Sequence, residues 1–86
     1  MKQDAILGGH YHDYRELFYM LKGDATFYLE DPKTRDRIFY HLDEGSRLLI
    51  PAFIAHKAEV KAGSILVGFT EKPYLSPEVN DTKYEL

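Results

Sequence analysis

From residue 16 to residue 70, apolar and polar side chains alternate with a period of two far more often than 3.6, and glycine or proline breaks the pattern every few residues. That pattern predicts short strands and no helix. ELFYMLK at 16–22 and DATFYLE at 24–30 are rich in strand-favouring aromatic residues. They meet at Gly23 and are expected to pair as a hairpin. DPKTRDR at 31–37 predicts a polar reverse connection into a strand RIFYHL at 37–42. DEGSR predicts a turn before LLI, and PAFIA a tight loop, since Pro51 removes a ladder donor. HKAEVKA at 56–62 sorts His56, Ala58 and Val60 onto one face and Lys57, Glu59 and Lys61 onto the other. GSILVGFT at 63–70 is apolar enough for a strand covered on both sides. The tail carries Pro73 and Pro77 and no clean period, so the expected organisation is a barrel over 1–70 with 71–86 as an extended arm of the same domain. Many short strands punctuated by turns point to an all-β sandwich or barrel.

Length narrows this picture, because 86 residues allow one domain whose core is marginal by itself. A metal, a partner subunit or both are expected to help hold it. The net charge of −3, with no block of like charges, gives no electrostatic footprint for nucleic acid. The chain has no cysteine, which removes disulfides, thiolate zinc sites and cysteine nucleophiles. Any metal must therefore be held by nitrogen and oxygen. The longest apolar run, LLIPAFIA at 48–55, falls well short of the roughly 20 residues that span a bilayer and is broken by Pro51, so no membrane segment is expected. MKQDAILGG lacks the apolar centre of a signal peptide, and the expected location is the cytoplasm.

The candidate chemistry sits in GGHYHDYRE at 8–16. On a strand, residues i and i+2 share a face, so His10 and His12 can converge on one ion, and Glu16 has the same parity. On a helix the two histidines would lie about 200° apart and could not chelate together. The best candidate for a fourth ligand is His56, which follows the proline loop and opens a strand. Three imidazoles and one carboxylate suit divalent iron, manganese, nickel, zinc or copper and disfavour calcium and magnesium, without choosing among the former. Such a set on an octahedral ion leaves about two positions for water, dioxygen or substrate.

The stretch HYHDYRELFYMLKG reads His10, one residue, His12, three residues, Glu16, six residues, Gly23. It resembles the first motif of the cupin superfamily. GSRLLIPAFIAH reads Gly45, five residues, Pro51, four residues, His56, and is similar to the second cupin motif. The short separation between them is that of small microbial single-domain cupins. The resemblance implies His10, His12, Glu16 and His56 as ligands of one divalent transition metal, and a small jelly-roll β-barrel of antiparallel strands. The sequence departs from the family pattern at Asp4 and Phe53, where cupins usually have glycine, and at Val60, where asparagine is frequent. Phe53 is expected to reshape the loop that aims His56. Cupins also carry further strands before the first motif, and a barrel lacking them exposes a sheet edge. A homodimer is therefore expected, in which the N-terminal segment or tail of one subunit adds to its partner's sheet. The alternative is that this chain is a piece of a longer protein.

Because cupins host many activities, the resemblance leaves the reaction open. The ending EKPYLSPEVNDTKYEL is similar to the ends of cupin domains acting on nucleotide-linked sugars in polysaccharide biosynthesis. The expected function is isomerisation or epimerisation of a small oxygen-rich, sugar-like molecule. The alternatives are an iron- or copper-dependent dioxygenase and a non-catalytic sugar-binding or sensor module. Tyr14 is a candidate proton carrier by parity, with His41 as a second, and each has surface or packing as its simpler role. Phe18 and Met20 continue the parity of Glu16 and are expected to line the cavity, with Ala25, Phe27 and Leu29 filling the barrel below. Arg47 is a candidate contact for a substrate carboxylate or phosphate.

Overall fold

The computed structural model describes the backbone of residues 5–71 and 82–83 and the side chains of residues 9–71. Among the described residues there are eight strands and no helix. In chain order they are β1 Ala5–Tyr11, β2 Glu16–Lys22, β3 Ala25–Glu30, β4 Arg37–Leu42, β5 Arg47–Ile50, β6 Ala55–Val60, β7 Ile65–Thr70 and β8 Thr82–Lys83. They form a five-stranded sheet, β4-β3-β6-β1-β8, and a three-stranded sheet, β5-β2-β7, with every pair antiparallel. Apart from β8, which pairs with β1, the expected arm over 71–86 lies outside the described residues beyond Glu71.

The expected hairpin of β2 with β3 does not form. β2 pairs with β5 and β7, whereas β3 pairs with β4 and β6, so the chain changes sheets at Gly23. Gly23 has φ +82°, and a Cβ there would sit on Ser64 Oγ and 2.9 Å from the Ser64 Cα. The buried Ser64 hydroxyl accepts from Asp24 N–H and donates to the Asp24 carbonyl, both at 3.1 Å, so it closes the corner against the β6–β7 turn. Only a residue without a side chain fits so close an approach at that φ. The hairpin β3–β4 does form, through the polar connection, where Asp31 N–H meets the Asp36 carbonyl at 3.0 Å.

Between the sheets, Met20 and Ile50 meet Ala25, Phe27, Leu29, Leu42, Ala58 and Val60 in one buried cluster. The strand period explains why: the burial of β3 and β6 alternates, with Lys57 and Glu59 turned out and Ala58 and Val60 turned in. Met20 thus belongs to the core rather than to the cavity wall. The outer face of the five-stranded sheet carries Thr26, Lys57, Glu59, Arg37 and His41 beside the aromatic pair Tyr28 and Phe39, with His41 Nδ1 3.3 Å from Thr26 Oγ1. His41 is exposed there, away from the histidine cluster.

The outer face of the three-stranded sheet aligns Leu49, Leu17 and Phe69 in one row and Arg47, Tyr19 and Val67 in the next. Leu21, Leu49, Ile65 and Phe69 remain about half exposed. β7 is therefore covered on one side, not two. Arg47, expected as a substrate contact, lies on this outer face because it has the parity of Leu49 rather than of the inward Leu48 and Ile50.

Candidate metal centre

β1 and β6 set the first and last ligands against each other. Leu7 pairs with Ala58 and Gly8 with Lys57, but the next step pairs His10 with His56, so Gly9 is an extra residue in β1. Its φ of +82° is the conformation that a glycine bulge requires. Cross-strand partners share a face. The bulge therefore shifts the parity of β1, so that His10 joins His56 on the inner side.

His12 lies just past the end of β1, off the strand and directly before a bend at residues 13–14. Three local contacts fix it. Its carbonyl accepts the Phe53 N–H at 2.8 Å, its Nδ1 donates to the Tyr14 carbonyl at 3.0 Å, and its ring lies flat on the Tyr14 ring at 4.0 Å with 2° between planes. Across the site, His56 Nδ1 donates to the Ile54 carbonyl at 3.3 Å. With both Nδ1 atoms engaged, each ring presents Nε2 as its donor atom, an arrangement typical of metal-binding imidazoles.

Those two Nε2 atoms bracket one carboxylate oxygen: Glu16 Oε1 is 3.0 Å from His12 and 3.6 Å from His56. One ligand atom from each of His10, His12 and His56 lies within 4.8 Å of the others. The four side chains implied as ligands are therefore together at one end of the barrel. Two buried imidazoles with their second nitrogens tied back, a half-buried third and a carboxylate fit a divalent transition metal by donor chemistry. Room for the carboxylate comes from Gly68 on β7, where a Cβ would approach Glu16 Oε2 and Phe18 Cε1 to 3.2 Å. Phe18 is half-buried, with its ring 6.2 Å from His56 and 4.9 Å from Phe27, and separates the site from the core.

The expected position of Tyr14 changes here. Tyr14 is 3% exposed with its ring packed on His12, so it lies against a candidate ligand instead of standing on the strand beside it. Strand parity placed it wrongly because residues 12–15 leave the strand. Phe53 adopts φ +64°, the left-handed conformation that a glycine would take, at a cost of about 1–2 kcal/mol. The bulge at Gly9 and the carbonyls of Tyr14 and Ile54 were not anticipated; the paired glycines at 8 and 9 were the signal for the first.

Replacing Tyr14 tests its role. Tyr14→Phe should hold zinc within about threefold of the parent protein, whereas Tyr14→Ala should lose about 10–100-fold, as removal of groups that orient ligands does. Competition with a chromophoric zinc chelator measures both, and equal losses in the two variants would instead assign the effect to the hydroxyl.

At the rim of the same end, Glu71 accepts from Arg15 N–H at 2.8 Å and from its guanidinium at 2.9 Å, and this hydrogen bond and charge raise the Arg15 pKa above its ordinary value. The pair ties the start of β2 to the end of β7.

No family model matches the sequence, and no curated protein is significantly similar to it. Solved structures are similar in fold. CapF, the capsular polysaccharide assembling protein of Staphylococcus aureus, superposes with TM-score 0.87 at 16% identity, over 99% of this chain and 25% of CapF. An oxalate decarboxylase variant from Bacillus subtilis gives 0.80 at 23% identity, over 96% of this chain and 22% of that one. The Lactobacillus farciminis oxalate decarboxylase formate complex gives 0.78 at 20% identity, over 94% and 24%. This chain spans about a quarter of the length of these proteins. With two antiparallel sheets around one core and a histidine cluster at one end, the chain has the cupin fold.

Proposed function

We propose that this chain is a metal-dependent enzyme that isomerises or epimerises a small, oxygen-rich, sugar-like substrate at His10, His12, Glu16 and His56. The observation that carries it is the bracketing of one Glu16 oxygen by two Nε2 atoms with a third imidazole beside them. A divalent iron, manganese, nickel, zinc or copper ion would supply Lewis acidity there, polarising a substrate carbonyl. The chain's own residues perform the rest. The Tyr14 and Ile54 carbonyls hold the imidazole protons at Nδ1, and Phe18 walls the site from the core. The name of CapF as a capsular polysaccharide assembling protein supports a sugar-like substrate.

Deuterium exchange tests the reaction class. Protein loaded with each of the five metals is incubated in D2O with a panel of aldoses and ketoses, and NMR follows the hydrogen α to the carbonyl. Metal-dependent exchange that disappears in Glu16→Gln is the expected result. No exchange with any metal would sink the isomerase; dioxygen uptake with enediols would then favour the iron or copper dioxygenase, and sugar binding without turnover the sensor module.

A homodimer remains part of the proposal, supported by the apolar outer face of the β5-β2-β7 sheet and by β4 as the outermost strand of its sheet. Sedimentation equilibrium at micromolar concentration decides it, and a monomer mass there would refute it.

A further inference from the structure

The loop 51–54 has two sides. Its backbone grips the metal centre, through Phe53 N–H to the His12 carbonyl and the Ile54 carbonyl to His56. Its residues Ala52, Phe53 and Ile54 line a cavity of about 500 Å³, together with Tyr11 from β1 and Asp31, Pro32 and Lys33 from the β3–β4 connection. None of the four ligand residues lines this cavity. Its volume falls within the range of small-molecule pockets.

Three features of the cavity point to one class of ligand. Tyr11, Pro32, Ala52, Phe53 and Ile54 make the lining mostly apolar, with two aromatic rings. The Phe53 ring is 57% exposed, on a backbone held at φ +64°. A strained position that presents an exposed aromatic ring is a mark of function, since neither burial nor backbone preference explains the residue. The third feature is charge. Asp31 Oδ1 accepts the Lys33 backbone N–H at 2.9 Å and so is turned into its own tight turn. No ion pair engages the exposed Lys33 ammonium among the described residues. A solvated lysine on a loop is ordinary; a lysine at the rim of an aromatic pocket is placed to meet an anion.

We propose that the cavity between residues 31–33 and 51–54 is a second binding site, separate from the metal centre, for a small molecule with an aromatic ring and one anionic group. The ring stacks against Phe53 and Tyr11, where planar apolar surfaces pair well. The anionic group meets Lys33.

The probe is 8-anilino-1-naphthalenesulfonate, an aromatic anion, titrated into the metal-free protein and followed by amide NMR. Shifts should concentrate at Tyr11, Asp31, Lys33, Ala52, Phe53 and Ile54. Lys33→Glu should weaken binding at least about fivefold. Phe53→Gly should weaken it about tenfold while raising the melting temperature, because glycine relieves the left-handed strain. That opposition separates loss of the site from loss of the fold. Shifts confined to Leu17, Leu49 and Phe69 on the outer sheet face, no saturable binding, or unchanged affinity in both variants would each overturn the proposal.

Discussion

Metal binding should be lost in a His56→Ala protein that still folds. The parent chain is expected to take up one equivalent of a divalent transition metal, and the variant to hold it at least about 100-fold more weakly, a loss at the upper end of what even supporting groups cause. The reason lies in geometry. His56 is the ligand that comes from the distant motif, its Nδ1 is tied to Ile54, and its Nε2 stands 3.6 Å from the Glu16 oxygen shared with His12. Its removal leaves three donors, all from residues 10–16. His10→Ala should weaken binding comparably, because the bulge at Gly9 puts His10 directly opposite His56. His41→Ala should change nothing, since His41 lies exposed on the outer face of the sheet. Elemental analysis of the three proteins after zinc reconstitution and gel filtration reads the outcome. Full occupancy in His56→Ala would remove this histidine from the site.

The largest effect on stability is expected from Phe27→Ala. Phe27 is 1% exposed, sits in the middle of β3 and packs its ring against Phe18 at 4.9 Å. Truncating a buried phenylalanine costs about 3–5 kcal/mol, from lost burial and from the cavity left behind. A domain of this size has total stability toward the low end of about 5–15 kcal/mol, so the variant should be largely unfolded at 37 °C. Phe69→Ala, on the half-exposed outer face, should cost less than about 1 kcal/mol in the monomer. Urea denaturation followed by circular dichroism compares them. A Phe27→Ala midpoint close to that of the parent would mean that the barrel closes over the vacancy. A metal-loaded sample should shift all midpoints upward together, since a ligand that binds only the folded state stabilises it by mass action.

The strands were legible in the sequence because one face of each is buried, and burial imposes the period of two. β2 and β4 occupy the expected residues 16–22 and 37–42. His56, Ala58 and Val60 face inward as the alternation required. The gathering of His10, His12, Glu16 and His56 was also legible, but only because two spaced motifs carry it.

Pairing was not legible. A glycine between two aromatic strands looks the same whether the chain folds back on itself or crosses to a second sheet, and here the closeness of Gly23 to Ser64, 41 positions later in the chain, decides for the crossing. The position of Tyr14 was hidden for a related reason: parity holds only while the backbone stays extended, and residues 12–15 leave the strand with a bend at 13–14. The same rule hid the bulge, which adds one residue to β1 and reverses its faces midway.

Local chemistry thus determined where the strands lie, which residues they bury and which side chains are able to hold a metal, because those properties follow from backbone geometry and side-chain type over a few residues. Tertiary structure alone decided the partner of each strand, the bond from Phe53 N–H to the His12 carbonyl that joins the two motifs, and the cavity behind the 51–54 loop. Each depends on contacts between segments distant in the chain, and the free energy of such contacts is set by how the two sheets close rather than by any stretch of sequence within them.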